Sequence, residues 1–323
     1  MPTTGRNMCW FKKWGSRKPL RMRCVSPHLV IIACVLGAAV QARATPDPKA
    51  FSGQTALDEA RNFLATGPRV SGTPGAAQGA AYLQKRLASL GLSTRVDEFS
   101  DPASVGSKTF RNVLATIPGQ SNGLIVLVSH YDTKPGISDT FIGANDSGSS
   151  SGVLLAIGAW LKTQPRLATT VMLAFTDGEE CAIDYTAHDG LNGSRRLAQQ
   201  IKEQSPVQPV IAVIVLDMIG DRDLTVTIPR NGTPILFKTV FDAARAEGVR
   251  HAFYLHESNM LDDHVPFLEA GLPAIDLIDF KYGSAPGLND YWHTPADTFD
   301  KLSAQSLETI GRVTLRMINM LQP

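Results

Sequence analysis

Three short apolar runs, residues 124–128, 171–175 and 210–216, constrain this chain most. All are rich in aliphatic or β-branched residues, and none alternates apolar with polar at period two. A strand that reads as continuously apolar is covered on both faces, the pattern of a mostly parallel sheet between helical layers. Helical stretches separate the runs: 152–161, then 194–202 entered through Asn192-Gly193-Ser194, with Ser194 the expected N-cap. A third covers 233–247, and 303–321 closes the chain with apolar residues near helical spacing. Upstream, 55–64 and 76–87 read as helices, and 94–99 with 109–117 as an antiparallel edge pair. Strands alternating with helices imply an α/β three-layer sandwich: a mixed, mostly parallel central sheet with helices on both faces.

Each of the three runs ends in a polar cluster. His130-Tyr131-Asp132 follows the first, Asp177-Gly178-Glu179-Glu180 the second, and Asp217 the third. Ligands of open α/β sheets bind beyond the carboxyl ends of the strands, so these clusters are expected to converge. Asp146, in a Gly/Ser-rich loop, and His293, in Tyr291-Trp292-His293-Thr294, extend the set. Alone, each has an ordinary explanation as a turn, cap or surface residue. Together, His130, Asp146, Glu180, Asp217 and His293 would leave three carboxylates repelling one another unless a cation lies between them. Mixed nitrogen and oxygen ligands suit zinc with an open position for water. Asp132 is placed to accept the other N–H of the His130 ring and fix its tautomer. Glu179 and Glu180 are adjacent, so the economical division gives Glu180 to the metal and Glu179 to proton transfer.

The first 44 residues read as an export signal. Arg17, Lys18, Arg21 and Arg23 lead into an apolar run over 29–40, followed by the A-x-A pattern Ala42-Arg43-Ala44. The run is too short to span a bilayer comfortably. A start at Met22 would leave a signal of ordinary length. The rival reading, a lipoprotein anchored at Cys34, has against it an apolar run that continues past that cysteine. The expected location is periplasmic or extracellular, with no stable membrane span after cleavage. The remaining stretch, 45–323, shows no composition shift and suits one catalytic domain. It keeps only Cys181, so no intramolecular disulfide is available to it. A formal net charge of +1, with no long like-charge run, gives no nucleic-acid footprint.

The segments S-H-Y-D-T, G-A-N-D-S-G, F-T-D-G-E-E, L-D-M-I-G and Y-W-H-T-P-A-D-T, in this order, resemble the co-catalytic zinc aminopeptidases, metallopeptidase family 28. Within that superfamily the chain most resembles the glutaminyl cyclases. The stretch from Glu179 to Arg195, including Asp189, is similar to the cyclase segment, as is Leu261-Asp262-Asp263-His264-Val265-Pro266-Phe267. Trp292 matches an aromatic of the cyclase pocket, and Tyr185 falls where cyclases carry a tryptophan. The resemblance implies one zinc on Asp146, Glu180 and His293, with Glu179 as general acid/base. It also implies that Asp217 and Asp262 hold the hydrogen bonds around the reacting amide. The substrate would then be the N-terminal glutamine of a peptide or protein. An aminopeptidase would instead use all five ligands on two zincs, with Asp146 bridging. A non-catalytic, metal-dependent binding ectodomain is the reading from a third class, and it would be marked by loss of Glu179 or of a ligand.

Three departures from the cyclase pattern count against the cyclase reading. Ser129 replaces the cysteine of animal cyclases, the loop over 147–152 reads like the peptidase version, and Asp276 stands where cyclases usually carry a histidine. Cys181 reads as a small buried filler, since no basic neighbour in sequence would activate it. Arg195 and Arg196 read as surface charges or a local ion pair. His188, His251 and His256 match no motif and are expected to be solvated.

Overall fold

The computed structural model describes residues 46–103 and 106–323; the expected export signal, with Cys34, lies outside the described residues. Helices α1 (Gly53–Leu64) and α2 (Pro74–Ser89) come first. Each begins at a hydroxyl cap: Ser52 accepts from the Thr55 N–H and Thr73 from the Ala76 N–H. The long hairpin β1 (Ser93–Ala103) and β2 (Gly106–Ile117) then lead into β3 (Leu124–His130), α3 (Ser150–Lys162) and β4 (Thr170–Thr176). Helix α4 (Asn192–Gln204), β5 (Val210–Asp217), a short β6 (Val226–Ile228) and α5 (Pro234–Ala246) follow. The chain ends through β7 (Phe253–Leu255), α6 (His264–Glu269), β8 (Ala274–Ile278) and α7 (Ala304–Met320).

Six strands form one sheet in the order β1-β2-β4-β3-β5-β8, and β6 pairs with β7 separately. The β4-β3-β5-β8 block is parallel, and β2 joins β4 antiparallel, so the edge hairpin reads as expected. Alternate residues of each buried strand divide between two cores, because side chains of a strand point to opposite faces. Ile125, Leu127, Val171, Leu173, Ala212 and Ile214 pack with residues of α1, α2, α3, α5 and α7. Val126, Val128, Ala174, Val213, Val215 and Ala274 pack against Leu197, Ala198 and Ile201 of α4 and Phe267 of α6. These are the two helical layers of the expected sandwich. From β3 the chain crosses to β4 on one side and, after α4, to β5 on the other. The crevice therefore opens beyond the carboxyl ends of these strands.

One local expectation changes, and one strand carries no continuous apolar run. Ser194 does not cap α4: the helix starts at Asn192 behind a left-handed Leu191 (φ 56), and the Ser194 hydroxyl bonds back to the Leu191 carbonyl. The strand β8 escapes a pattern search because Asp276 interrupts Ala-Ile-Asp-Leu-Ile, although all five residues are buried.

Candidate active site and metal centre

The period of a β-strand brings the first site residues together. His130, Thr176 and Asp217 end β3, β4 and β5 and lie on the face shared by Val128, Ala174 and Val215. His130 Nε2 lies 3.0 Å from Asp146 Oδ1 and 3.4 Å from Asp217 Oδ1. Asp146 faces a second group as well: His293 Nε2 is 3.4 Å from Asp146 Oδ2 and 3.2 Å from Glu180 Oε1. All five expected ligands thus form two triads that share Asp146.

Loops hold the remaining donors in place by backbone hydrogen bonds. The Asp297 carboxylate accepts from the Asn145 and Asp146 N–H groups at 2.8 and 3.2 Å, and from the Tyr282 hydroxyl at 2.7 Å. Gly143 (φ 52) permits the tight turn before Asp146, where a Cβ would lie 2.0 Å from the Asp146 carbonyl oxygen. Gly178 (φ 78) does the same before Glu179, and its Cβ would strike the Phe110 ring at 2.6 Å. Met218 (φ 48) and His293 (φ 53) are left-handed without being glycine, which places local backbone strain beside Asp217 and at a candidate ligand.

Asp132 does more than was expected of it. Its Oδ1 is 3.5 Å from His130 Nδ1, long for a hydrogen bond. The same carboxylate accepts from the Glu179 and Glu180 backbone N–H groups, each at 3.2 Å, and from the Ser71 hydroxyl at 3.1 Å. It therefore aims both glutamates, and they diverge. Glu180 turns to His293, while Glu179 Oε1 accepts from the Tyr185 hydroxyl at 2.9 Å. Burial and the Glu180 charge hold the Glu179 carboxyl well above the usual carboxylate range. Burial would likewise raise Asp146, but His130 and His293 overcome it and hold Asp146 below that range. Burial opposes charge on His293, yet Asp146 and Glu180 keep its imidazole up at about 9.

A divalent cation fits this donor set. His130 Nδ1 and Nε2 and Asp217 Oδ1 are buried with no hydrogen-bond partner among the described residues, and Glu180 Oε2 has only the Lys134 ammonium, 3.3 Å away. The ligand-atom spacings of 3.0 to 3.4 Å match the edges of a tetrahedron with about 2.0–2.1 Å bonds.

A cavity of about 310 Å³ opens onto Asp146, Glu179, Asp217 and His293, with Asp262 in its wall. Tyr185, Phe280 and Trp292 supply its aromatic surface. Trp292 stacks on His293 at 4.1 Å between ring centroids and meets Phe280 edge-on at 4.9 Å. Tyr185 and Trp292 both line this cavity, and Phe280 is a third aromatic there that no motif marked. His256, expected to be solvated, is half-buried in the cavity wall with Met260 and Leu261.

Sequence spacing missed a cation too. Lys134 Nζ lies 3.3 Å from Glu180 Oε2 and 3.2 Å from Cys181 Sγ, so Cys181 is a buried filler with a basic neighbour supplied by the fold. Arg195 donates to the Thr186 carbonyl at 2.7 Å and so braces the loop that carries Tyr185, while Arg196 pairs with Asp97 at 3.1 Å. Deeper on the α4/α6 side lies a third group, Asp262, His264 and Asp276. Burial pushes His264 down to about 4 and Asp276 well up.

The model of peptidase family M28 matches residues 112–318. The chain belongs to this family. A glutaminyl-peptide cyclotransferase-like protein of Mus musculus is 31% identical over 288 residues, covering 76% of this chain and 70% of the relative. A solved glutaminyl cyclase from an Acidobacteriales bacterium superposes with a TM-score of 0.81 at 34% identity, over 88% of this chain and 99% of that one. A Zn-dependent exopeptidase from Parabacteroides distasonis reaches 0.72 at 25% identity, over 85% and 99%. Within the M28 family this chain is therefore most like the glutaminyl cyclases.

Proposed function

We propose that this chain is a zinc-dependent glutaminyl cyclase, converting the N-terminal glutamine of peptides to pyroglutamate with release of ammonia. The observation that carries the reading is the placement of Glu179. Its buried carboxyl sits in an aromatic-walled cavity, next to a triad that faces the same cavity. Asp146, Glu180 and His293 would hold the ion, whose contribution when bound is Lewis-acid polarisation of the glutamine γ-carboxamide. Tyr185, Phe280 and Trp292 would enclose the glutamine stem and keep water from competing with the α-amine. The α-amine nitrogen forms the new bond to the γ-carbonyl carbon, and the bond to the amide nitrogen breaks. Glu179 takes a proton from the amine and returns it to the departing nitrogen, so ammonia leaves and no water is consumed. A carboxyl raised by burial suits both halves of that transfer. Asp217 and Asp262, both in the cavity wall, would orient the reacting groups.

The intact His130–Asp146–Asp217 triad favours one alternative, a two-zinc aminopeptidase in which Glu179 deprotonates water. The ions would then number two rather than one. Export, with the mature chain acting in the periplasm or outside the cell, is part of the proposal and rests on the basic-apolar-A-x-A order of residues 17–44.

Incubation with a Gln-initiated peptide should release ammonia, with loss on chelation and recovery on adding zinc. Glu179→Gln should lower kcat by about 10²–10⁴ while zinc content stays unchanged. Rapid hydrolysis of amino-acid p-nitroanilides with no ammonia above the blank would refute the cyclase and leave the peptidase.

A further inference from the structure

Asp276 occupies the middle of β8, between the buried Ile275 and Leu277. A carboxylate in such a strand costs several kcal/mol unless it is paired or ligated. Neither of its oxygens has a hydrogen-bond partner among the described residues. By strand period it shares the face of Ala274, toward the layer that contains α6.

His264, the first residue of α6, is there to meet it. This imidazole is fully buried, and neither ring nitrogen has a hydrogen-bond partner among the described residues. Its Nδ1 is 3.9 Å from Asp276 Oδ2, too far for a hydrogen bond. Asp262 completes the group, with one donor atom from each of the three residues lying within 4.8 Å of the others. No lysine or arginine pairs with Asp262 or Asp276 among the described residues.

Two carboxylates and an imidazole lone pair therefore point at one place: Asp262 accepts from the Asp263 N–H, and nothing among the described residues hydrogen-bonds to Asp276 or His264. At zinc bond lengths of about 2.1 Å, two ligand atoms 3.9 Å apart subtend roughly 135° at one ion, wider than the tetrahedral angle but within reach of a side-chain adjustment. We propose that Asp262, His264 and Asp276 form a further binding site for a divalent cation of the zinc class, separate from the triads that meet at Asp146. Mixed imidazole and carboxylate ligands select that class over calcium or magnesium. Asp262 also lines the main cavity, which puts the group directly behind the cavity wall. Its effect is to neutralise the acids behind the reacting groups and to lock the Asp262 carboxylate in one orientation. This site does not depend on the cyclase reading: ammonia release tests that, and metal position tests this.

The experiment is anomalous diffraction at the zinc edge from crystals of the whole protein equilibrated with zinc chloride. Metal content of the wild type is measured beside His264→Asn and Asp276→Asn. The proposal expects a peak bounded by Asp262, His264 and Asp276 in addition to density at Asp146. It also expects a loss of about one equivalent of zinc in each variant. Peaks confined to the neighbourhood of Asp146 overturn it, and so does a metal content unchanged by both substitutions. Should either variant fail to fold, the wild-type map decides alone.

Discussion

Asp146 belongs to two triads made of the same kinds of ligand but set in different surroundings. His130 and Asp217 come from the ends of β3 and β5, where sheet geometry fixes them, and the His130 side chain is only 2% exposed. Glu180 and His293 come from loops, and the His293 side chain is 20% exposed beside the aromatic cavity. The sheet thus supplies a rigid half, whose Asp217 also reaches the cavity wall, and the loops a half in which His293 is the more exposed ligand. That division follows the general pattern in which a rigid scaffold positions loop-borne chemistry. On the proposed cyclase reading the working ion lies on the loop-borne triad, and the strand-borne one supports it.

Unequal losses on deleting one histidine from each triad are the largest effect expected. His293→Ala should remove the bound metal and essentially all turnover, whereas His130→Ala should cost about 10–100-fold, as loss of a supporting residue does. Metal content and kcat/KM read both. Equal losses would show that the strand-borne triad also carries a working ion.

A smaller effect sharpens the loop-borne side. Tyr185→Phe keeps the ring and removes the hydroxyl that donates to Glu179 at 2.9 Å. That bond favours the charged carboxylate, so its loss raises the Glu179 pKa further. The acid limb of the kcat/KM profile should move to higher pH, and kcat should fall by about tenfold. An unmoved limb would separate Tyr185 from proton transfer.

The smallest effect isolates pH dependence that belongs to neither triad. Burial pushes Asp279 up to about 7, although its carboxylate accepts from the Thr225 and Lys281 N–H groups. A carboxyl whose folded pKa is raised favours folding fully below its unfolded value near 3.8, and that contribution is lost as pH rises through about 7. Asp279→Asn should flatten this fall between pH 4 and 7 by an amount on the order of 2 kcal/mol, read from urea midpoints. Parallel curves for the two proteins would assign the pH dependence to other groups.

What could be read in advance follows physical rules that act locally. The central strands were visible because strands covered on both faces must be apolar throughout, and the acids at their ends stood out against that background. β8 was hidden because Asp276 breaks its apolar run, and the cost of burying a carboxylate there is resolved only by what α6 brings opposite. Lys134 is 47 positions from Cys181, and Asp297 is 151 from Asp146, so no local pattern announces either pair. His256 carries no motif and reaches the cavity wall on the segment after β7.

The sequence by itself determined the layered α/β architecture and singled out the five candidate ligands with Glu179 beside them. Only the tertiary structure decided that the ligands separate into a strand-borne triad and a loop-borne one that share Asp146, since that depends on which loops fold over which strand ends. It alone decided that Asp132 aims both glutamates and that Asp276 faces His264. Strand periodicity is a property of neighbouring residues, whereas a site is a property of residues that only packing makes neighbours.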